Sequence, residues 1–376
     1  MTRHITYVTG TRADFGLMRS TLELMAEDSR LSVDIVVTGM HLDPAFGRTV
    51  DEVLESGLAV AGEVPVDLGA GGAGMANAIG QELMGITDVL GRNRPDVVMV
   101  LGDRGEMMAA ALAAVHLNMP VVHLHGGERS GTVDESVRHA ITKLAHFHFT
   151  ATAGARDRVV AMGEDPSRVF VTGAPGLDGL DKLVVRDRSQ LAADRELDED
   201  RSIALVLYHP VVQQQLDLAR QAQAVIEGTL AAGAQVVWFT PNADAGHDQI
   251  QNVVDRYSSN PDVRSVVHMA RTEFVSWMAA ADVMVGNSSS GIIEAAGLGL
   301  PVVNVGDRQR LRERSANVTD VPTDQAAVTQ AVSDALDAGR GDWENVYGTA
   351  GAGRTIADLL ATVTLGPDVL EKSNTY

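Results

Sequence analysis

Residues that can move protons crowd into one stretch of this chain. The segment VVHLHGGERSGTVDESVRH, residues 121–139, starts as an apolar run and continues into histidines, carboxylates and arginines. His125, Asp134, Glu135 and Arg138 are its candidate catalytic residues, because a general base for a weakly acidic C–H needs burial and neighbouring carboxylates that raise its pKa toward the working pH. On a helix, Asp134 and Arg138 share one face. The alternative interpretation is an exposed ion pair between those two side chains.

Two further motifs place an arginine just after an apolar run. LGDRGE, residues 101–106, puts Asp103 beside Arg104, which indicates an acid or base next to an anion-binding group; a local ion pair at a helix start is the alternative. TGTRADFG, residues 9–16, offers Arg12 after a glycine turn, with a solvent-facing arginine as the alternative. This loop resembles a phosphate cradle, but it lacks both the GxGxxG pattern and the P-loop lysine.

The strongest anion-binding signal is GNSSSGIIE, residues 286–294. Free backbone N–H groups, serine hydroxyls and a helix dipole all suit phosphate oxygens, so Ser288 and Ser289 are predicted phosphate contacts. Glu294, one turn further on, is a predicted ribose contact. Simple helix capping is the alternative, but it uses only one of the serines.

Three other polar residues follow apolar runs in the second half of the chain. His209 in YHP is placed to hold a diphosphate or to protonate a leaving oxygen. Arg308 in GDRQ adds positive charge near the same ligand, with a solvent-exposed arginine cluster at 308–314 as the alternative. Asn242 in PNADAG is similarly placed, although a Pro-Asn turn needs no function to explain it.

Two His-x-His pairs, at 123/125 and 146/148, raise the alternative of a zinc site. The chain has no cysteine, and neither pair comes with an evident third and fourth ligand nearby. Imidazoles in apolar strands more often bond backbone carbonyls. We therefore predict no metal.

The elements that position these residues alternate between short β-branched runs and longer helix-like stretches, which is typical of parallel sheets covered on both faces. Two doubly wound α/β domains are predicted: residues 1–183, a charged linker around 184–201, and residues 202–354. Residues 355–376 are predicted as a helix and tail that pack back on the first domain. Ligands of such sheets bind beyond the carboxyl ends of the strands, so an active-site cleft between the domains is expected. The predicted strands are 5–8, 33–37, 97–101, 121–124, 147–149, 169–171, 203–207, 236–239, 263–267, 283–285 and 302–305.

Composition narrows the class of partner. Fifty acidic and thirty basic side chains leave a formal net charge of −20, a field that repels nucleic acid and anionic membrane. The chain begins without a signal-peptide pattern and nowhere contains 18 uninterrupted apolar residues. A cytoplasmic protein is the resulting prediction.

Taken in order and at their spacing, the motifs GDR, HGGE, SGTVDESVRHAITKLAH, YHP, PNADAG, GNSSSG and GDRQ resemble the UDP-N-acetylglucosamine 2-epimerases, over about residues 9–318. Within them, the chain looks like the hydrolysing branch that feeds sialic and related nonulosonic acid synthesis. The resemblance implies a fold of two Rossmann-like domains, like that of glycosyltransferase-B enzymes, and a homodimer. It also implies that no cofactor takes part.

The implied reaction is the conversion of UDP-N-acetylglucosamine and water to UDP and N-acetylmannosamine, through C2 deprotonation, anti elimination of UDP to a 2-acetamidoglucal, and hydration. One departure concerns His125, since characterised relatives carry a glutamate at that point, and it leaves the identity of the C2 base open. The resemblance implies that the acid/base and electrostatic residues around the sugar are Asp103, Asp134, Glu135 and Arg138. It implies that the nucleotide-binding residues are Arg12, Arg104, His209, Asn242, Ser288, Ser289, Glu294 and Arg308. It also implies that His209 assists the departure of UDP.

Four alternatives stay open at this point. The same chemistry on UDP-N,N'-diacetylbacillosamine would use the same nucleotide contacts. A non-hydrolysing epimerase would return a nucleotide sugar, a glycosyltransferase would show no proton exchange at C2, and a UDP-sugar sensor would bind without turnover.

Overall fold

The computed structural model describes residues 2–69, 71–211, 214, 216–240, 246–267 and 269–375. The chain divides into two compact units. Unit 1 comprises Met1–Glu128, Asp134–Asp178 and Tyr347–Tyr376, and unit 2 comprises Arg129–Val133 and Gly179–Val346.

Unit 1 is built on a seven-stranded parallel sheet with the order β3-β2-β1-β4-β5-β6-β7. Its central strands are continuous apolar runs, which a parallel sheet needs because both of its faces are buried. In β4, Val97, Met99 and Leu101 face one apolar cluster, whereas Val98 and Val100 face another. The strands are β1 (Arg3–Thr9), β2 (Leu31–Thr38), β3 (Ala59–Val64), β4 (Val97–Leu101), β5 (Val121–Leu124), β6 (Phe147–Thr150) and β7 (Val169–Val171).

Helices connect these strands. The capping box of the first helix shows how local sequence sets a boundary: the Thr11 side chain accepts from the Asp14 N–H, and the Asp14 side chain accepts from the Thr11 N–H. The helices of this half of the chain are α1 (Arg12–Glu27), α2 (Val50–Glu55), α3 (Gly71–Asn93), α4 (Gly105–His116), α5 (Val133–Leu144) and α6 (Ala153–Ala161).

Unit 2 contains a six-stranded parallel sheet with the order β10-β9-β8-β11-β12-β13. Ala204 and Val206 of β8 face one apolar cluster, and Leu205 and Leu207 face the other. The strands are β8 (Ile203–Leu207), β9 (Gln235–Phe239), β10 (Val263–Val266), β11 (Val283–Gly286), β12 (Val302–Val305) and β13 (Val318–Val321). The helices are α7 (Arg188–Asp194), α8 (Leu218–Ala231), α9 (His247–Val254), α10 (Arg271–Ala280), α11 (Ser289–Ile293) and α12 (Gln325–Ala338).

The prediction of two doubly wound parallel α/β domains is confirmed. Two strands, β3 and β13, were not predicted. Both lie at sheet edges and are largely exposed or half-buried, so neither carries the continuous apolar run that marks a central strand. Part of the charged stretch at 184–201 forms α7.

The C-terminal segment belongs to unit 1 and contains helix α13 (Ala352–Thr362). Ile356 and Leu360 of α13 are fully buried in the same apolar cluster as Met18 and Leu22 of α1. The carboxylate of Asp178 accepts from the N–H groups at the start of α13, including that of Gly353 at 2.6 Å. This carboxylate supplies the cap that the helix's own N-terminal residue, Gly351, does not.

Residues beyond α13 also contact unit 1. The ammonium group of Lys372 donates to the carbonyls of Lys143 and Ala145 at the end of α5, at 2.8 and 2.6 Å. It also lies 2.7 Å from the buried carboxylate of Glu164. Among the described residues, no helix has the length and apolar content that crossing a bilayer requires.

Candidate active site

An ion pair between a buried arginine and a half-buried aspartate lies at the carboxyl end of β4. Arg138, on α5, is 1 % exposed, and its guanidinium donates to the carboxylate of Asp103 and, at 3.1 Å, to the carbonyl of Glu128. Asp103 follows β4 by two residues, so the sheet brings together two predicted catalytic residues that are 35 positions apart in the sequence. A buried charge of this kind needs its partner, because the desolvation of an unpaired guanidinium is costly.

Next to this ion pair lies an imidazole–carboxylate pair. His125 has a left-handed backbone, with φ of 59°, and its Nδ1 lies 2.6 Å from Oε1 of Glu128. Both side chains are buried. A carboxylate bonded to one ring nitrogen orients the imidazole, an arrangement suited to proton transfer. Glu128 was not among the predicted site residues, although it ends the HGGE motif that carries His125.

Asp134 and Glu135 occupy the first turn of α5 and are half-buried. Negative charge is favourable at this end of a helix. The carboxylate of Glu135 lies 3.7 Å from Nε2 of His139, one turn along the helix. The structure therefore places both predicted acids on the helix that also carries Arg138.

Arg104 and Arg12 lie at the starts of helices that follow β4 and β1. Arg104 precedes α4, and its Nε donates to Glu106 at 2.7 Å. The Glu106 carboxylate packs so closely over Gly10 that a Cβ at that position would overlap it. Arg12 opens α1, and burial lowers the pKa of its guanidinium, although the nearby Glu52 carboxylate opposes this shift.

Two further buried carboxyl groups, those of Glu82 and Asp14, lie near Glu106. Burial and the charge of Glu106 raise the pKa of Glu82, on α3, to about 8. Burial and the same carboxylate raise the pKa of Asp14 to about 6, although hydrogen bonds from Thr9 and Thr11 oppose this shift. Glu82 was not predicted, because nothing in the sequence around it marks a helical glutamate as buried beside a second carboxylate.

In unit 2, predicted nucleotide-side residues follow three strands that are neighbours in the sheet. His209 follows β8, Ser288 and Ser289 follow β11, and Arg308 follows β12. Because parallel strands end at a common edge, these residues lie along the same edge of the sheet. Ser288 caps α11 by accepting from the N–H of Ser290 at 3.4 Å. Helix capping therefore accounts for the side chain of Ser288.

Glu294 and Asn242 complete the predicted set. Glu294 is buried, and its carboxylate forms an ion pair with Arg271, which opens α10 and was not predicted. Asn242 lies outside the described residues.

The remaining histidines of the two His-x-His pairs have ordinary partners. His123 Nε2 lies 2.7 Å from the carbonyl of Gly102, and burial lowers the pKa of His123 to about 3. His146 accepts from a backbone N–H, and His148 lies 2.9 Å from Glu164. Among the described residues, no group of three or more histidine and carboxylate side chains is arranged to hold a metal ion.

The fold and these residues define an α/β protein of two parallel sheets whose polar residues gather where the strands end, as in nucleotide-binding enzymes. Residues 23–361 match the family described as UDP-N-acetylglucosamine 2-epimerase. A relative in Legionella pneumophila, named UDP-N,N'-diacetylbacillosamine 2-epimerase (hydrolyzing), is 48 % identical over 377 residues, covering 100 % of both chains. The chain belongs to the UDP-N-acetylglucosamine 2-epimerase family and is an enzyme of that family.

One further relative and one solved structure are similar to this chain. The polysialic acid biosynthesis protein P7 of Escherichia coli is 31 % identical over 343 residues, which are 89 % of this chain and 86 % of that protein. The crystal structure of the Neisseria meningitidis UDP-GlcNAc 2-epimerase bound to UDP-GlcNAc has a TM-score of 0.78 at 20 % identity, covering 95 % of this chain and 99 % of that one. The latter likeness shows a shared fold.

Proposed function

We propose that this protein is a hydrolysing 2-epimerase, which converts a UDP-2-acetamido sugar and water to UDP and the free sugar with inverted C2. The observation that carries the proposal is the full-length likeness, at 48 % identity, to a relative named as hydrolysing. The paired acids and bases at the end of the first sheet supply the groups that this chemistry needs.

In the proposed reaction, a base removes the C2 proton, UDP leaves from C1 by anti elimination, and water adds to the resulting 2-acetamidoglucal. We assign the proton transfer at C2 to the pair His125 and Glu128, which lie 2.6 Å apart. Asp103, Asp134 and Glu135 are assigned to the sugar ring. Arg138 holds Asp103 in place.

The nucleotide is assigned to the carboxyl edge of the second sheet. Ser288, Ser289 and Arg308 are proposed to bind the diphosphate, and His209 to assist the departure of UDP. Further proposed nucleotide contacts are Arg12, Arg104, Asn242 and Glu294. The predicted cleft, the homodimer and the cytoplasmic location stay predictions.

Charge separation explains why cations and carboxylates both belong in such a site. A C2–H next to an acetamido group is only feebly acidic, so the loss of UDP runs ahead of proton transfer and leaves positive charge at C1. Preorganised cations stabilise the negative charge of the departing diphosphate, and carboxylates stabilise the positive charge that develops at C1 of the sugar ring. One such oriented group typically lowers the barrier by about 3 to 4 kcal/mol.

For the sugar, we propose N,N'-diacetylbacillosamine, because that is the substrate in the name of the 48 % identical relative. UDP-N-acetylglucosamine is the second candidate, since the family as a whole carries that name. Both sugars present the same C2 acetamido group to the base.

The test is incubation with each UDP-sugar in heavy water, followed by proton NMR of the products. We expect free sugar, UDP, and deuterium at C2 of the product. An epimeric UDP-sugar would indicate the non-hydrolysing reaction, transfer to an acceptor without exchange at C2 would indicate a glycosyltransferase, and binding without turnover would indicate a sensor. Asp103→Asn is the control that separates enzymatic from spontaneous cleavage.

A further inference from the structure

We propose that Asn287 is a positioning residue of the nucleotide site, which holds the backbone of His209 through a two-way amide contact. The inference rests on the proposed function, because it takes His209 as a UDP contact. Asn287 itself is 1 % exposed, so its side chain acts on the protein and not on the ligand.

Three hydrogen bonds join Asn287 to the end of β8. Its backbone N–H donates to the carbonyl of Leu207 at 3.0 Å. Its side-chain Oδ1 accepts from the N–H of His209 at 2.7 Å, and its Nδ2 donates to the carbonyl of His209 at 2.9 Å. The side-chain amide therefore satisfies both backbone groups of the histidine.

This contact extends the pairing of two strands beyond the point where their backbones separate. β8 ends at Leu207 and β11 ends at Gly286, so His209 lies beyond the last paired residues of the two strands. A carboxamide carries a donor and an acceptor side by side, as a peptide group does. Aspartate lacks the donor, alanine lacks both groups, and serine has only a single oxygen with which to bond, so asparagine suits this position.

The glycine before Asn287 permits the close approach. Gly286 has a φ of 133°, and a Cβ at that position would overlap the carbonyl of Leu207. The two strand ends are thus in direct backbone contact, which brings the short asparagine side chain within reach of His209.

Asn287 also connects to the loop that follows β12. Its carbonyl oxygen accepts from Nη1 of Arg308 at 3.1 Å and from Nε2 of Gln309 at 3.0 Å. One residue therefore contacts the loops that carry His209 and Arg308, and it directly precedes Ser288. Truncation of its side chain removes the bonds to His209 but keeps the carbonyl that Arg308 uses, so the effect should pass through the histidine.

The experiment is a double-mutant cycle on UDP affinity, measured by calorimetry on the full chain. We expect Asn287→Ala to weaken UDP binding roughly tenfold, the scale of two net hydrogen bonds that position a ligand contact. We expect His209→Ala to weaken it as well. In the His209→Ala background, Asn287→Ala should cause little further loss, because the group through which it acts is gone.

Asn317→Ala is the matched control. Asn317 is also a buried asparagine of unit 2, and its Nδ2 donates to a backbone carbonyl, that of Leu300 at 2.9 Å, but it precedes β13 at the amino end of the strand. We expect this variant to lose thermal stability and to bind UDP with unchanged affinity.

Two results would overturn the positioning role: unchanged UDP affinity in folded Asn287→Ala, or an equal loss in the wild-type and His209→Ala backgrounds. If the alanine variant does not fold, Asn287→Asp replaces it throughout the cycle. The aspartate keeps the acceptor for the His209 N–H but sets an oxygen against the His209 carbonyl, and the same two results would overturn the role. Failure of the wild-type protein to bind UDP would instead contradict the proposed function.

Discussion

At the scale of single residues, the pKa of Glu82 predicts a measurable dependence of stability on pH. Burial and the neighbouring Glu106 carboxylate raise the pKa of Glu82 from an ordinary 4.5 to about 8. Between these values the folded protein keeps a proton that the unfolded chain has lost, so the free energy of unfolding decreases as the pH rises. The slope from this group approaches about 1.4 kcal/mol per pH unit.

Glu82→Gln removes this titration while keeping a neutral side chain of the same shape. We expect the free energy of unfolding of the variant to lack the decrease that Glu82 causes between pH 5 and 8. The variant should also be more stable than the wild type at pH 8. Urea unfolding at several pH values measures the difference. Glu63→Gln is the control, because Glu63 is exposed on β3. Parallel pH profiles for the wild type and Glu82→Gln would contradict the prediction.

A second residue-scale prediction concerns Glu128. Its carboxylate lies 2.6 Å from His125, so its replacement by glutamine removes the carboxylate that orients the imidazole. We expect Glu128→Gln to lower kcat by about 10²- to 10⁴-fold, the range typical of a lost acid/base group. Release of free sugar gives the rate, and deuterium at C2 of unreacted or released sugar reports the proton transfer. A variant that turns over at the wild-type rate would remove Glu128 from the mechanism.

At the scale of elements, α13 depends on a cap from a distant part of the chain. Asp178 accepts from N–H groups of Ala352 and Gly353, at 3.1 and 2.6 Å. We expect Asp178→Ala to lower the free energy of unfolding by about 2 kcal/mol, the upper end for a lost helix cap. Asp181→Ala, an exposed aspartate three residues further on, should change it little. Denaturant unfolding checks both, and equal stabilities for the two variants would contradict the assigned cap.

At the scale of the whole molecule, the two edges of the sheet in unit 2 should respond differently to UDP. The proposed nucleotide contacts of unit 2 follow β8, β11 and β12, at one edge of its sheet. Bound UDP should therefore slow hydrogen exchange at 207–210, 287–290 and 306–309, by up to about a hundredfold at a UDP concentration of 100 times Kd. Exchange measured by mass spectrometry provides the test. Amides at the amino edge of the same sheet, at 258–263, are the internal control, and protection confined to that edge would contradict the assignment.

The sequence alone determined most of the two sheets, because a parallel strand covered on both faces must be a continuous apolar run. β4, β5 and β8 begin and end at the predicted residues. The same rule explains why the exposed edge strands β3 and β13 were not predicted. It also predicted which polar residues follow strands, and hence His125, His209 and Arg308 as candidates.

Only the tertiary structure decided which of those residues meet. The pairing of Arg138 with Asp103 depends on the adjacency of β4 and β5, and the contact of Asn287 with His209 depends on the adjacency of β8 and β11. The burial of Glu82 beside Glu106 likewise depends on the packing of α3 against α4. Local sequence dictates where a strand ends, but the packing of the whole sheet selects its neighbours. The physical reason is that the apolar surface which drives this packing is non-directional, so no short stretch of sequence specifies a partner.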